Sequence, residues 1–288
     1  MGKADKKSKV FKYIKIFIVP AIIIIVAAIN LLFFWTDPHY SPDYEKTDIL
    51  KIVGKDVLND EDYAELFRQT GLSKTAVCEV LSKESKDALK DYQNQFFADI
   101  ETEKYSFNFN ITYQNFISED SGVGPIKLAS VEKGDIIITL SATTLFFNHG
   151  HTGIVVSTNP NMTLEALSPG NVSEVGSMDY WQYFSNFAIL RLKGVSYEER
   201  AKIADYAREN LAELPYNIIA GVFDFSNKSI PKSTQCAFVV FDAYKRFGYD
   251  IDSDGGRIVT VRDLLASDKL EVIQIYGLDP EDYIERIY

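Results

Sequence analysis

The chain is short of several residue types, and each shortage removes a class of protein. Among 288 residues there are two cysteines, Cys78 and Cys236. Two thiols cannot build a disulfide framework, and no Cys/His cluster has the spacing of a zinc site. One bridge between them is the most they can form, and a redox protein using the pair would lack a CxxC motif. Histidine is nearly as scarce, with only His39, His149 and His151, so any imidazole base must be one of these. Basic residues number 30 against 41 acidic ones. Six of the 30 (Lys3, Lys6, Lys7, Lys9, Lys12, Lys15) lie in residues 1–15 beside one acid, Asp5; that leaves 24 basic and 40 acidic, a formal −16. Such a surface repels phosphate backbones, which argues against a nucleic-acid partner. Repeats and low-complexity tracts are missing outside the lysine-rich tip. Aromatics, in contrast, are plentiful: 17 Tyr and 19 Phe provide area for a sizeable core.

Residues 16–35 read IFIVPAIIIIVAAINLLFFW. This uncharged run has about the length that spans a bilayer. Lysines precede it and the acidic stretch TDPHYSPDYEKTD follows it, so the positive-inside rule predicts a cytoplasmic N-terminus and an outward-facing remainder. Val26-Ala27-Ala28 would suit signal-peptide cleavage, but the apolar run continues through Trp35, which favours an uncleaved anchor. The expected organisation is a basic tip over 1–15, a single-pass anchor over 16–35, a linker and helical region over 36–104, and a catalytic-sized domain over 105–288.

Pro38 and Pro42 mark residues 37–48 as a linker, and His39 reads as a surface residue. Asn59 to Asp62 starts a helix with acids in its first turn, and Gly71 ends it. Ser73 caps a second, longer helix with Val77, Val80, Leu81, Leu89, Tyr92 and Phe96 on one buried face. Cys78 lies inside that helix and reads as a small buried or half-buried residue. From residue 105 the pattern turns to β. Phe107, Phe109 and Ile111 share a face, and strands are expected at 136–140, 151–157, 162–167, 187–192 and 270–276, with loops at 118–124 and 141–150. Helices are expected from Ser196 to about Glu213, after Cys236, and from Thr260. Strands grouped between helical segments indicate α+β rather than regular βαβ alternation.

Two short stretches carry chemistry. Ser233-Thr234-Gln235-Cys236 precedes AFVVFDAYKRFG, in which Ala237, Val240, Phe241 and Tyr244 recur at helical spacing. Ser233 or Thr234 can cap the first turn. A thiol there, at N2 or N3, lies at the positive end of the helix dipole, which favours the thiolate. His151 opens the apolar strand GHTGIVV, and a Cys–His couple is a nucleophile with its base. His149, two residues earlier, competes for that role. Glu165, a carboxylate in an apolar run, needs a partner; it can orient His151 as the third member of a triad or face outward from its strand. Tyr216 follows a helix-breaking Pro215. It can donate to an oxyanion alongside the Cys236 backbone N–H, or simply pack in the core.

VEKGDIIIT, GHTGIVV, TLEAL, TQCAFVVFDAYKRFG and VTVRDLLAS, in that order over about residues 105–276, resemble the permuted branch of the NlpC-type papain-like cysteine hydrolases. The nearer group is the YiiX/YebB-like one, related to the lecithin:retinol acyltransferase-like enzymes. The resemblance implies a small, partly barrel-like antiparallel sheet packed with helices. It implies Cys236 as nucleophile, His151 as base and Glu165 as the polar third residue, with Gly153 as the small residue after the histidine and Tyr216 as an aromatic near the site. Gln235 and Ala237 depart from the more polar neighbours that the family cysteine often has. The helical region from Lys46 to Phe97 is not covered. No cofactor or metal is implied. The expected activity is cleavage of an amide bond in a cell-wall peptide or lipid-like substrate. A lipid ester hydrolase or acyltransferase, and a binding module with a degenerate catalytic fold, are the alternatives.

Overall fold

The computed structural model describes residues 17–21, 23–24, 39–107, 112–144, 147–221 and 230–288. Among them no helix is long and apolar enough to cross a membrane. The anchor reading of 16–35, and the single-pass outward topology drawn from it, are therefore corrected; most of that run, and all of the basic tip, lie outside the described residues.

Among the described residues from 39 onward, four helices precede the strands: α1 (Ile49–Val53), α2 (Asp60–Thr70), α3 (Lys74–Lys83) and α4 (Ala88–Phe96). The start of α2 is legible locally. Asn59 accepts from the Asp62 N–H and Asp62 accepts from the Asn59 N–H, a reciprocal capping box. Gly71 ends α2 at φ 70°, and a side chain there would lie 2.1 Å from the Ile275 carbonyl oxygen. Only glycine tolerates both the left-handed φ and that approach. The single long helix expected after Ser73 is instead α3 and α4. Glu84 is extended at φ −125°, ψ −176°, and the polar run from Lys83 to Asp87 supplies no apolar face to hold a helix through it. Cys78 is exposed, correcting the buried reading.

Among the described residues ten strands form two sheets, all of whose pairs are antiparallel. The smaller has the order β1-β2-β4-β5, from β1 (Thr102–Phe107), β2 (Thr112–Ile117), β4 (Ala142–Thr144) and β5 (Phe147–Asn148). The larger runs β10-β9-β3-β6-β7-β8, from β3 (Ile136–Thr139), β6 (His151–Thr158), β7 (Asn161–Glu165), β8 (Glu174–Ser177), β9 (Phe187–Leu192) and β10 (Leu270–Tyr276). Two open sheets thus replace the one partly barrel-like sheet expected from the sequence. Phe109 and Ile111, expected on the face of a first strand, lie outside the described residues. Strand β6 is buried from His151 to Val156. A strand covered on both faces reads as a continuous apolar run rather than an alternation, which is why GHTGIVV looks as it does. Helices α5 (Tyr197–Asn210) and α6 (Cys236–Lys245) both pack on β6, and α7 (Val261–Ala266) packs on α6.

The helical region belongs to this core. The turn between α2 and α3 bonds along β10, with Ile275 N–H to Gly71 C=O at 2.8 Å and Ser73 N–H to Ile273 C=O at 3.0 Å. That covers an edge strand which would otherwise present unpaired backbone. Residues 39–48 are strapped to the domain as well. Gln69 takes the Thr47 N–H and donates to the Glu45 C=O, and the Tyr44 hydroxyl donates to the Arg68 C=O. His39, read from sequence as a surface residue, is 5% exposed, with Nδ1 2.7 Å from the Ser185 carbonyl oxygen.

Asp135, in the turn before β3, is fully buried and receives a two-point bond from Arg191 on β9 at 2.7 and 2.8 Å. Burial pushes the Asp135 carboxyl up, and the Arg191 contact opposes that rise. Removing one partner strands the other charge, which costs about 3–5 kcal/mol. Arg191→Met is expected to lower stability by that amount in urea unfolding, with Asp135→Asn/Arg191→Met recovering part of the loss.

Candidate active site

The site lies where α6 meets β6 and β7. Helix α6 begins at Cys236, which is its first residue rather than the second or third. Its cap is Gln235, whose Oε1 accepts from the Ala237 N–H at 2.8 Å and lies 3.6 Å from Cys236 Sγ. Ser233 and Thr234, the caps expected from sequence, are otherwise engaged: Ser233 Oγ accepts from Asn217 Nδ2 and Thr234 Oγ1 donates to the Gln235 C=O. Gln235 Nε2 donates to the Val259 C=O at 2.9 Å, which fixes the cap.

His151 opens β6 and is 3% exposed. Its Nε2 lies 2.6 Å from Glu165 Oε2. Cys236 lies close enough to act on the titration of the ring. The structure therefore pairs His151 with Glu165 and packs the helix that Cys236 opens against the His151 strand. Burial alone would push the His151 pKa down. The neighbouring Cys236 and Glu165 together outweigh that, and it is pushed up to about 10. His149 is placed differently. Its Nδ1 donates to the Gly150 C=O at 2.6 Å and its Nε2 accepts from Thr144 Oγ1 at 2.9 Å. Burial holds its pKa below the ordinary value, so both nitrogens of a neutral ring are occupied away from the thiol.

Glu165 ends β7 and is 4% exposed, facing inward. Four donors converge on it. His151 Nε2 and the Tyr180 hydroxyl reach Oε2, while the Thr163 hydroxyl and Trp181 Nε1 reach Oε1, the last at 3.0 Å. Burial would raise its pKa, but the contacts with His151, Thr163 and Tyr180 bring it below the usual value. Trp181 also stacks on the His151 ring, with centroids 5.6 Å apart and planes 12° from parallel. Tyr180 and Trp181 come from the short 3-10 helix Asp179–Tyr183. Sequence reading missed Thr163, Tyr180 and Trp181. Thr163 is the one with a local signal, since two residues along a strand share a face.

Gly153 pairs directly with Glu165 across β6 and β7. A side chain on Gly153 would lie 2.7 Å from Glu165 Cγ. The space beside this glycine is what lets the carboxylate lie over β6 and reach His151. Tyr216 is half-buried and pairs as an isolated bridge with Thr234, two residues before the thiol. Burial raises its pKa, with a smaller contribution from Cys236, so its hydroxyl stays protonated beside the sulfur.

Both cysteines are free thiols. Among the described residues, carboxylate oxygens of Asp252, Asp254 and Asp263 lie within 4.8 Å of one another. Asp263 already serves Thr260 as a capping partner, and such acidic surface groups are common without an ion.

No family model matches this chain. No curated protein matches it either. Among solved structures, the metalloprotein YiiX of Escherichia coli O157:H7 (DUF1105) is similar at TM-score 0.40 and 16% identity, over 50% of this chain and 97% of that one. This is a YiiX-like likeness over half the chain, and it does not extend to an NlpC-type or papain-like assignment.

Proposed function

We propose that the protein is a cysteine hydrolase that cleaves an amide bond through an acyl-thioester on Cys236. The observation that carries this reading is the buried His151–Glu165 pair, 2.6 Å apart, with the Cys236 helix packed against the His151 strand. In this reading His151 takes the thiol proton, and the thiolate attacks the substrate carbonyl. The Cys236 N–H, at the helix start where no intrahelical acceptor exists, and the Tyr216 hydroxyl donate to the oxyanion. His151 then gives its proton to the leaving amine, and a water activated by His151 releases the acyl group. Glu165 holds the ring in the correct tautomer and balances its charge. Amides of cell-wall peptides or of lipid-like molecules are the substrate classes proposed, with the matching esters as the nearest alternative.

The second reading, a binding module with an idle site, draws on Cys236 being only 7% exposed. Cys78 is an internal control, because it is exposed and its sulfur's hydrogen-bond partner among the described residues is the Tyr63 hydroxyl, at 3.4 Å. Iodoacetamide labelling of the full chain, followed residue by residue by mass spectrometry, separates the two readings. The hydrolase predicts faster labelling of Cys236 than of Cys78 despite its burial, an advantage lost in His151→Ala and kept in His149→Ala. Labelling of Cys78 alone would favour the binding module.

A further inference from the structure

A cavity of about 220 Å³ lies beside the site, lined by Tyr105, Phe116, Ile117, Glu119, Tyr180 and Tyr183. Four of these six are aromatic and one is a carboxylate. The rings are braced. Phe116 stacks on Phe184 with centroids 4.5 Å apart and planes 21° from parallel, and Tyr180 stands at 61° on the same Phe184, 5.6 Å away. Tyr105 stands edge-on to Phe116 at 5.3 Å. Phe184 thus backs two walls at once, and β1 and β2 carry the others. Glu119 opens the 3-10 helix Glu119–Ser121 directly after β2. Among the described residues no cation pairs with it.

Aromatic faces carry negative charge density and attract cations, most strongly when the cation is weakly hydrated. The Glu119 carboxylate in the lining adds a formal charge of the same preference. A neutral apolar guest would use the rings but gain nothing from Glu119. The excess of acid over base in the whole chain also draws cations towards it. We infer that this cavity is a binding site for an organic ammonium group, held by the rings of Tyr105, Phe116, Tyr180 and Tyr183 and by the Glu119 carboxylate. Its volume accommodates a trimethylammonium or an alkylammonium head. Tyr180 joins the cavity to the site, since its ring lines the wall and its hydroxyl donates to Glu165. The occupant is then the ammonium-bearing part of the substrate, a step that rests on the proposed hydrolase; the binding itself does not.

The test is a ligand-observed NMR titration of the full chain, and in parallel of its Cys236→Ala variant, with choline and with 3,3-dimethylbutan-1-ol. The alcohol has the same shape without the charge. Choline is expected to bind at least about tenfold tighter than the alcohol, equally in both proteins. Glu119→Gln should remove most of that preference and leave the alcohol unchanged, and Tyr183→Ala should weaken choline several-fold. The rank of choline against n-butylammonium then distinguishes a methylated head group from a lysine-like side chain, and either order keeps the assignment. Equal affinity for choline and the alcohol, no choline binding, or an unaltered preference in Glu119→Gln would overturn it. Because Cys236→Ala is silent in this titration, loss of the hydrolase reading would leave the binding result intact.

Discussion

Cys236→Ala is expected to lower amide hydrolysis by on the order of 10⁶-fold in kcat, with little change in thermal midpoint. The thiol is the atom that forms the acyl bond in the proposed mechanism, and nothing else near His151 can replace it. Tyr216 and Tyr180 both stay protonated because burial raises their pKa values. The replacement is small, and the first turn of α6 keeps its Gln235 cap, which bonds to the Ala237 N–H and not to sulfur alone. His151→Ala should cost a similar factor, and the double variant should be no worse than either single one, because residues that act as a unit are not additive. Chromogenic amides and their matching esters, assayed with each variant, check this. Full activity in Cys236→Ala would refute the nucleophile. An inactive His149→Ala beside an active His151→Ala would reassign the base.

How much of this was legible in the chain depended on whether the signal was local. The α2 start needs only the residues from Asn59 to Asp62, and it formed where they indicate, with a capping box between Asn59 and Asp62 that the acids alone did not announce. Strands β9 and β10 coincide with the expected spans because their apolar runs are bounded by turns on both sides. Cys236, His151 and Glu165 could be singled out since each sits awkwardly for its type: a thiol at a helix start, an imidazole at the head of a buried strand, a carboxylate in an apolar run. What could not be read was long-range. Tyr180 and Trp181 reach Glu165 from a separate 3-10 helix, and no periodicity announces such a contact. Gly153 matters through its register opposite Glu165, which sequence spacing does not reveal. Strands β4 and β5 are three and two residues long, too short to alternate visibly, so 141–150 read as a loop. The α6 cap went to Gln235 because the Ser233 and Thr234 hydroxyls were drawn into other bonds.

Glu165 should be the position where function and stability fail together. Glu165→Ala removes the acceptor of four donors, from His151, Tyr180, Thr163 and Trp181. An unsatisfied buried donor costs about 1–3 kcal/mol, so the loss approaches the whole stability of a typical domain, about 5–15 kcal/mol. Glu165→Gln keeps the volume but turns an amide NH₂ towards two of those donors, and it is expected to fold with a lowered midpoint. The pH dependence follows from the two shifts. His151 is raised from 6.5 to about 10 in the folded protein. Its contribution is fully present below pH 6.5 and is lost as pH rises through about 10. Glu165 is lowered from 4.5, so its contribution is present above that pH and fades as pH falls through its folded value. Urea midpoints should therefore be highest between about pH 4.5 and 6.5 and decline towards pH 10, by at most about 1.4 kcal/mol per pH unit for this one group. Glu165→Gln removes the charge that holds the proton on His151, so its alkaline decline should begin earlier and be shallower. Hydrolysis should share that alkaline limb, since the ring must carry a proton to release the amine. A wild-type midpoint that stays flat from pH 6.5 to 10 would mean that His151 is neutral in the folded protein and that Glu165 only orients it.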